Sequence, residues 1–162
     1  MKHITKVSNL IVADFTSAKL MVNQSVDINA TPEKIWKVIS NQSIAEEWMP
    51  SIKKLESFNT ANADTDGVGV ERIAVYGTGD KIKETVVYAE RNKILAYRVA
   101  FPYMVKDHLS IIEIKENGLN SSTVHLYAFF TPTDFTGYLM QFGVYASIVK
   151  SSLKKLNELC TK

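Results

Sequence analysis

From Val22 onward the chain repeatedly alternates apolar and polar positions with the period of a half-buried strand. Val22, Val26 and Ile28 alternate with Asn23, Ser25 and Asp27, and Gln24 breaks the inner face. Thr31 then offers an N-cap and Pro32 stands at the first helical position, where its missing N–H costs nothing. Ile35, Trp36 and Ile39 form the buried side of that helix. Ser43, with Glu46 three residues on, predicts a capping box for a second short helix that runs to Trp48 and is halted by Pro50. Residues 55–60 read as the next strand and 61–67 as a loop.

After Gly67 the pattern is one of antiparallel hairpins. Strands over 68–76 and 81–89 are joined by Gly77-Thr78-Gly79, a three-residue loop whose last glycine suits the left-handed bulge position. That register sets Arg72 opposite Glu84. Further strands are predicted over 94–101, 105–116 and 123–131, the last two connected through Asn117-Gly118-Leu119-Asn120. The pattern then changes to a helical one. Leu139, Phe142, Ala146, Val149, Leu153, Leu156 and Cys160 recur at steps of three and four, predicting one long helix over 137–160. Its stretch 138–149 is apolar nearly all round, which predicts burial on several sides. The fold class is therefore α+β: a curved antiparallel sheet of about six to seven strands, with two short helices after the first strand, wrapped around a long C-terminal helix.

Composition narrows the function classes. The chain has 162 residues, enough for one domain with a real core, and a net charge of +2 with basic residues scattered among acidic ones, which argues against nucleic acid as a partner. The lone cysteine, Cys160, rules out an intrachain disulfide or a thiolate zinc cluster. Residues 1–19 lack clear periodicity and are expected to form an extension, with a short strand or helix at 9–15 or a loosely attached arm. Lys2, His3 and Lys6 precede an apolar run at 9–13 that is too short for a secretory leader and ends at Asp14, so a cytoplasmic location is expected. No stretch approaches a membrane span. There is no serine nucleophile elbow, phosphate loop, HExxH pair or zinc-spaced cluster. Neither a metal nor a cofactor is expected.

Several residues and their spacing resemble the START-like or SRPBCC superfamily, the helix-grip fold of birch-pollen-allergen-like proteins, plant abscisic acid receptors, lipid-transfer domains and polyketide cyclase/dehydrase proteins. They are Ile28-x-Ala30-x-Pro32-Glu33-x-x-Trp36, Trp48-x-Pro50-x-Ile52, Gly67-x-Gly69-x-x-Arg72, Glu84-Thr85, Tyr97 and Thr131-Pro132. The match runs from about Val22 to Lys162, so residues 20–162 are read as the ligand-binding domain. The resemblance implies a deep cavity between sheet and terminal helix for a hydrophobic or amphipathic molecule. It implies that Arg72, Glu84 and Tyr97 face that cavity, that His108 stands where relatives often carry tyrosine, and that Ser110 matches a pocket serine. It also puts Leu126 where many cyclase-like members have tryptophan, and turns Leu126, Ala128 and Phe130 inward with His125 outside. An Asn117-Gly118 two-residue turn would instead put His125 on the face of Ser110.

Arg72 and Glu84 interrupt apolar alternation and share a face with Ala74, Tyr76, Ile82, Val86 and Tyr88. A pocket-facing arginine fork would recognise a carboxylate head, whereas a structural ion pair would only brace the sheet. His108 is a candidate general base or polar anchor. Tyr97, Val99 and Phe101 alternate on one side of their strand, and Phe135, Tyr138, Leu139 and Phe142 begin the last helix. Together they suit a mostly apolar pocket lining. The candidate ligand-binding set is thus Arg72, Tyr76, Glu84, Tyr97, Val99, Phe101, His108, Ser110, Leu126 and Phe142, with 102–104 as a possible gate loop. Three functions fit: binding of a lipid, polyketide-like or isoprenoid ligand; a metal-free cyclase or dehydratase; and an interaction module for a ribosome or chaperone partner.

Overall fold

The computed structural model describes residues 4–162; Lys2 and His3 of the basic start lie outside the described residues. The main body is a seven-stranded antiparallel sheet in the order β3-β9-β8-β7-β6-β5-β4. Its strands are β3 (Leu20–Ile28), β4 (Ile52–Asn59), β5 (Glu71–Tyr76), β6 (Lys81–Glu90), β7 (Ile94–Val99), β8 (Val105–Gly118) and β9 (Ser121–Pro132). Between β3 and β4 lie α1 (Pro32–Ile39) and α2 (Ala45–Trp48). Before the sheet, the extension contributes a small hairpin of β1 (Lys6–Val7) and β2 (Leu10–Ile11). The chain closes with α3 (Phe135–Leu139) and α4 (Tyr145–Thr161). This is the expected α+β helix-grip arrangement.

Local chemistry explains most boundaries. Thr31 Oγ1 accepts the Lys34 N–H at 3.3 Å, with Pro32 at the helix start. The second cap differs from expectation. Asn41 Oδ1 accepts the Ser43 N–H at 3.2 Å, while Glu46 turns away to accept the Leu55 N–H at 2.8 Å, so no Ser43–Glu46 box forms. Asparagine sits two residues earlier and captures the Ser43 N–H and hydroxyl first. The Gly77–Gly79 loop closes with Gly79 at φ 92°, and the register pairs Arg72 with Glu84 as predicted. Tyr88 departs from the predicted inner face. A bulge between Val86 and Tyr88 reverses the alternation and turns Tyr88 outward against Phe15, 5.9 Å between ring centroids.

Two apolar cores flank the sheet. The concave face packs Leu95, Val99, Ile112, Leu126 and Phe130 with α1, α2 and the buried side of α4, where Val149, Leu153, Leu156 and Cys160 point inward. The opposite face packs Ile94, Ala96, Leu109, Ile111, Tyr127 and Phe129 under Val7, Leu10 and Val12 of the extension. The arm is therefore docked, not loose. Thr16 and Ser17 fasten its end to β8: Thr16 Oγ1 donates to the Asp107 carbonyl, and Ser17 N–H and Oγ donate to Asp107 Oδ2 at 2.9 and 3.0 Å. Asp107 lies in a β8 bulge at φ 55°, immediately before His108.

The terminal helix is not continuous. Phe142 and Gly143 leave helical geometry, Gly143 at φ 120°, which kinks the chain between α3 and α4. Only glycine takes that backbone conformation at little cost. The kink swings the apolar first half away from the sheet, so Phe135 and Phe142 are each 77% exposed where burial was expected. Tyr138, Leu139 and Val144 are exposed with them.

Candidate functional site

A cavity of about 950 Å³ opens between the concave face of the sheet and the kinked end of the helix. Its walls come from the end of α2 (Trp48, Met49), the β5–β6 hairpin (Tyr76, Thr78, Ile82), β7 (Tyr97, Val99), β8 and β9 (Ser110, Leu126), and the helix (Met140, Tyr145, Ile148, Ser152). Phe101 and Met104 of the loop after β7, with Phe142 and Gly143 at the kink, complete the lining. That loop is tied down on two sides. Tyr103 donates its hydroxyl to Asp80 of the hairpin, and Met104 N–H donates to Asp134 Oδ2 at 3.0 Å. Asp134 also caps α3 through Gly137 N–H at 2.8 Å, so one carboxylate joins loop and helix.

Of the ten candidate residues, Tyr76, Tyr97, Val99, Phe101, Ser110, Leu126 and Phe142 line this cavity. Arg72, Glu84 and His108 stand behind the wall. Arg72 Nε donates to Glu84 Oε2 at 2.5 Å, with Nη2 also paired to that oxygen. Nη1 donates to Gln42 Oε1 at 2.7 Å, and Nη2 meets Met49 Sδ at 3.3 Å. The other Glu84 oxygen accepts the Tyr76 hydroxyl. At 3% and 2% exposure, arginine and glutamate satisfy each other inside the protein, which leaves no guanidinium fork for a ligand. His108 is enclosed by Phe101, Phe130 and Tyr145, with Nε2 2.7 Å from the Tyr145 hydroxyl. Burial lowers its pKa to about 3, so the imidazole is neutral.

No lysine, arginine, histidine or carboxylate lies on the described wall; its polar groups are mainly hydroxyls, including Tyr76, Tyr97, Ser110, Tyr145 and Ser152. Burial, aided by the Glu84 charge, pushes Tyr97 up to about 12 and raises Tyr76 and Tyr145 well above the usual phenol range, so all three stay protonated. Ser110 Oγ and Trp48 Nε1 are buried without a protein hydrogen-bond partner. Among the described residues no group of three His, Cys, Asp or Glu side chains could hold a metal ion. His125 lies on the outer side, stacked on Tyr127 at 5.9 Å, because β8 and β9 pair Glu113 with His125 and Ser110 with Ala128.

Tyr145, Ile148 and Ser152 were missed as lining residues. They flank Val149 of the predicted stripe, which lines the cavity with them. Their i, i+3, i+7 spacing was the available signal.

The family described as polyketide cyclase/dehydrase and lipid transport matches residues 19–161. The chain belongs to that family. Solved structures similar to this polyketide cyclase/dehydrase and lipid-transport family member include XoxI from Bacillus cereus, at 24% identity and a TM-score of 0.68 over 85% of this chain and 92% of that one. Norcoclaurine synthase from Thalictrum flavum, in complex with dopamine and hydroxybenzaldehyde, is 15% identical with a TM-score of 0.66, over 98% of this chain and 95% of that one. A protein from Thermobifida fusca is 20% identical with a TM-score of 0.69, over 86% and 91%. These likenesses establish the shared fold. No curated protein matches the chain. No helix among the described residues is long and apolar enough to cross a membrane.

Proposed function

We propose that this family member binds a neutral, largely hydrophobic small molecule in the cavity between sheet and terminal helix, as a cytoplasmic binding protein. The observation that carries this reading is the wall itself: about 950 Å³, apolar with hydroxyls and free of charged side chains. That volume is at the upper end for small-molecule sites, and apolar walls with a few polar groups are their usual chemistry. A carboxylate or phosphate ligand would lose its hydration with no cation to replace it. The lipid-transport element of the family description agrees with such a cargo. The cyclase or dehydratase alternative asked Glu84 or His108 to move a proton on the substrate. Both stand behind the lining, which favours binding over that chemistry.

The test is native mass spectrometry of the purified protein with extraction of bound organic species, paired with Leu126→Trp, which fills the wall. A stoichiometric neutral species, lost from a folded Leu126→Trp protein, is the expected outcome. Added ligand at a hundredfold excess over Kd should stabilise the fold by about 2.7 kcal/mol. An empty protein unmoved in Tm by long-chain alcohols, quinones and aromatic polyketides would overturn the reading.

A further inference from the structure

We propose that Tyr97, Ser110 and Tyr145 form a subsite for the carbonyl oxygen of a ketone or quinone, and that His108 is the positioning residue that keeps Tyr145 donating into it. The proposal rests on the binding reading above and names the ligand chemistry that the cavity selects.

Tyr97 and Ser110 are direct cross-strand partners on β7 and β8 and both face the cavity. Tyr145, the first residue of α4, comes down opposite them, and Ser110 neighbours both phenols. Ser110 is 1% exposed and its Oγ has no partner of proper geometry in the protein. A buried hydroxyl left so is costly, and a ligand atom relieves the cost.

Proton counting gives the polarity of the missing partner. His108 is neutral, so one ring nitrogen carries hydrogen. Its Nδ1 is buried without a partner and its Nε2 contacts the Tyr145 oxygen. Orphaned buried N–H groups are rarer than orphaned acceptors, which puts the proton on Nε2 and makes histidine the donor. Tyr145 therefore keeps its own proton for another acceptor. Ser110 Oγ likewise has no acceptor in the protein, so the cluster carries more hydroxyl protons than its own groups accept. The nearby carboxylate, Glu84, is already taken by Arg72 and Tyr76. The subsite thus offers a donor, and with no cation on the wall the fitting acceptor is a neutral carbonyl.

The experiment compares 2-acetylnaphthalene with 2-ethylnaphthalene, which share a shape and differ by the oxygen, binding to the full chain by calorimetry. Each affinity is corrected for that compound's water-to-hexadecane transfer. The expected result is a corrected preference for the ketone of about tenfold, with the bound carbonyl stretch shifted below its hexadecane value. Tyr145→Phe and Ser110→Ala should each cut that preference about three- to tenfold while 2-ethylnaphthalene binding is kept. His108→Leu should shrink the infrared shift, and His108→Gln, which retains an N–H donor, should restore it. Equal corrected affinities, or an unshifted carbonyl stretch in the unmodified protein, would overturn the subsite and leave the cavity reading intact. Failure of both naphthalenes to bind would overturn the subsite, and the cavity reading falls with it only if the wider ligand panel also leaves Tm unmoved.

Discussion

Arg72→Met is the sharpest test of whether the ion pair behind the cavity is architecture. Methionine keeps the aliphatic bulk but removes the donors to Glu84 and to Gln42. Glu84, 2% exposed, would be left with the Tyr76 hydroxyl as its one remaining partner. Removing one member of a buried pair typically costs about 3–5 kcal/mol, because an uncompensated charge stays in the interior. The Gln42 bond adds about 1 kcal/mol. Taking about 5 kcal/mol in all, a chain of this length should lose about 10–20 °C in Tm. Replacing both partners, as Arg72→Met with Glu84→Leu, removes the stranded charge and should recover all but about 1–2 kcal/mol. Ligand-free thermal and urea unfolding followed by circular dichroism reads these values. The reasoning is refuted if Arg72→Met stays within about 1 kcal/mol of the parent, or if the double variant is less stable than Arg72→Met alone.

Two further outcomes follow from the same packing. His108 has its pKa depressed in the fold to about 3 against 6.5 unfolded, so between those values the unfolded chain binds a proton that the native state does not. Its contribution to stability is present above pH 6.5 and is lost as pH falls toward 3, at about 1.4 kcal/mol per unit; His108→Leu should flatten that part of a Tm-against-pH profile, and an unchanged slope would contradict the buried neutral ring. Gly137→Ala would set a Cβ 1.8 Å from the Met104 carbonyl oxygen, forcing loop and α3 apart. A loss of about 2 kcal/mol in urea unfolding is expected, and a neutral result would mean the loop is not clamped there.

Much of the fold was legible because its signals are local. The Thr31–Pro32 helix start, the glycine hairpin that pairs Arg72 with Glu84, and the alternation of β7 to β9 each depend on residues a few positions apart. Other features depend on competition between groups that no alternation pattern ranks. Asn41 outbids Ser43 for a helix cap, and Glu46 is drawn off by a backbone N–H nine residues away. The bulge at Val86 to Tyr88 flips a tyrosine that alternation alone placed inside. Ile94, Ala96, Ile111 and Phe129 look like surplus hydrophobicity on the outer face until the extension is seen to cover them.

The strand and helix order and the antiparallel pairing follow from period and turn chemistry written in neighbouring residues, whereas the choice of cavity-facing positions came with the family resemblance. Tertiary structure alone decided how polar groups divide their partners. It kept the paired Arg72 and Glu84 off the cavity wall, closed His108 behind Tyr145, and kinked the last helix at Gly143. A hydrogen-bond donor is spent on whichever acceptor three-dimensional packing brings within reach, and no one-dimensional pattern records that choice.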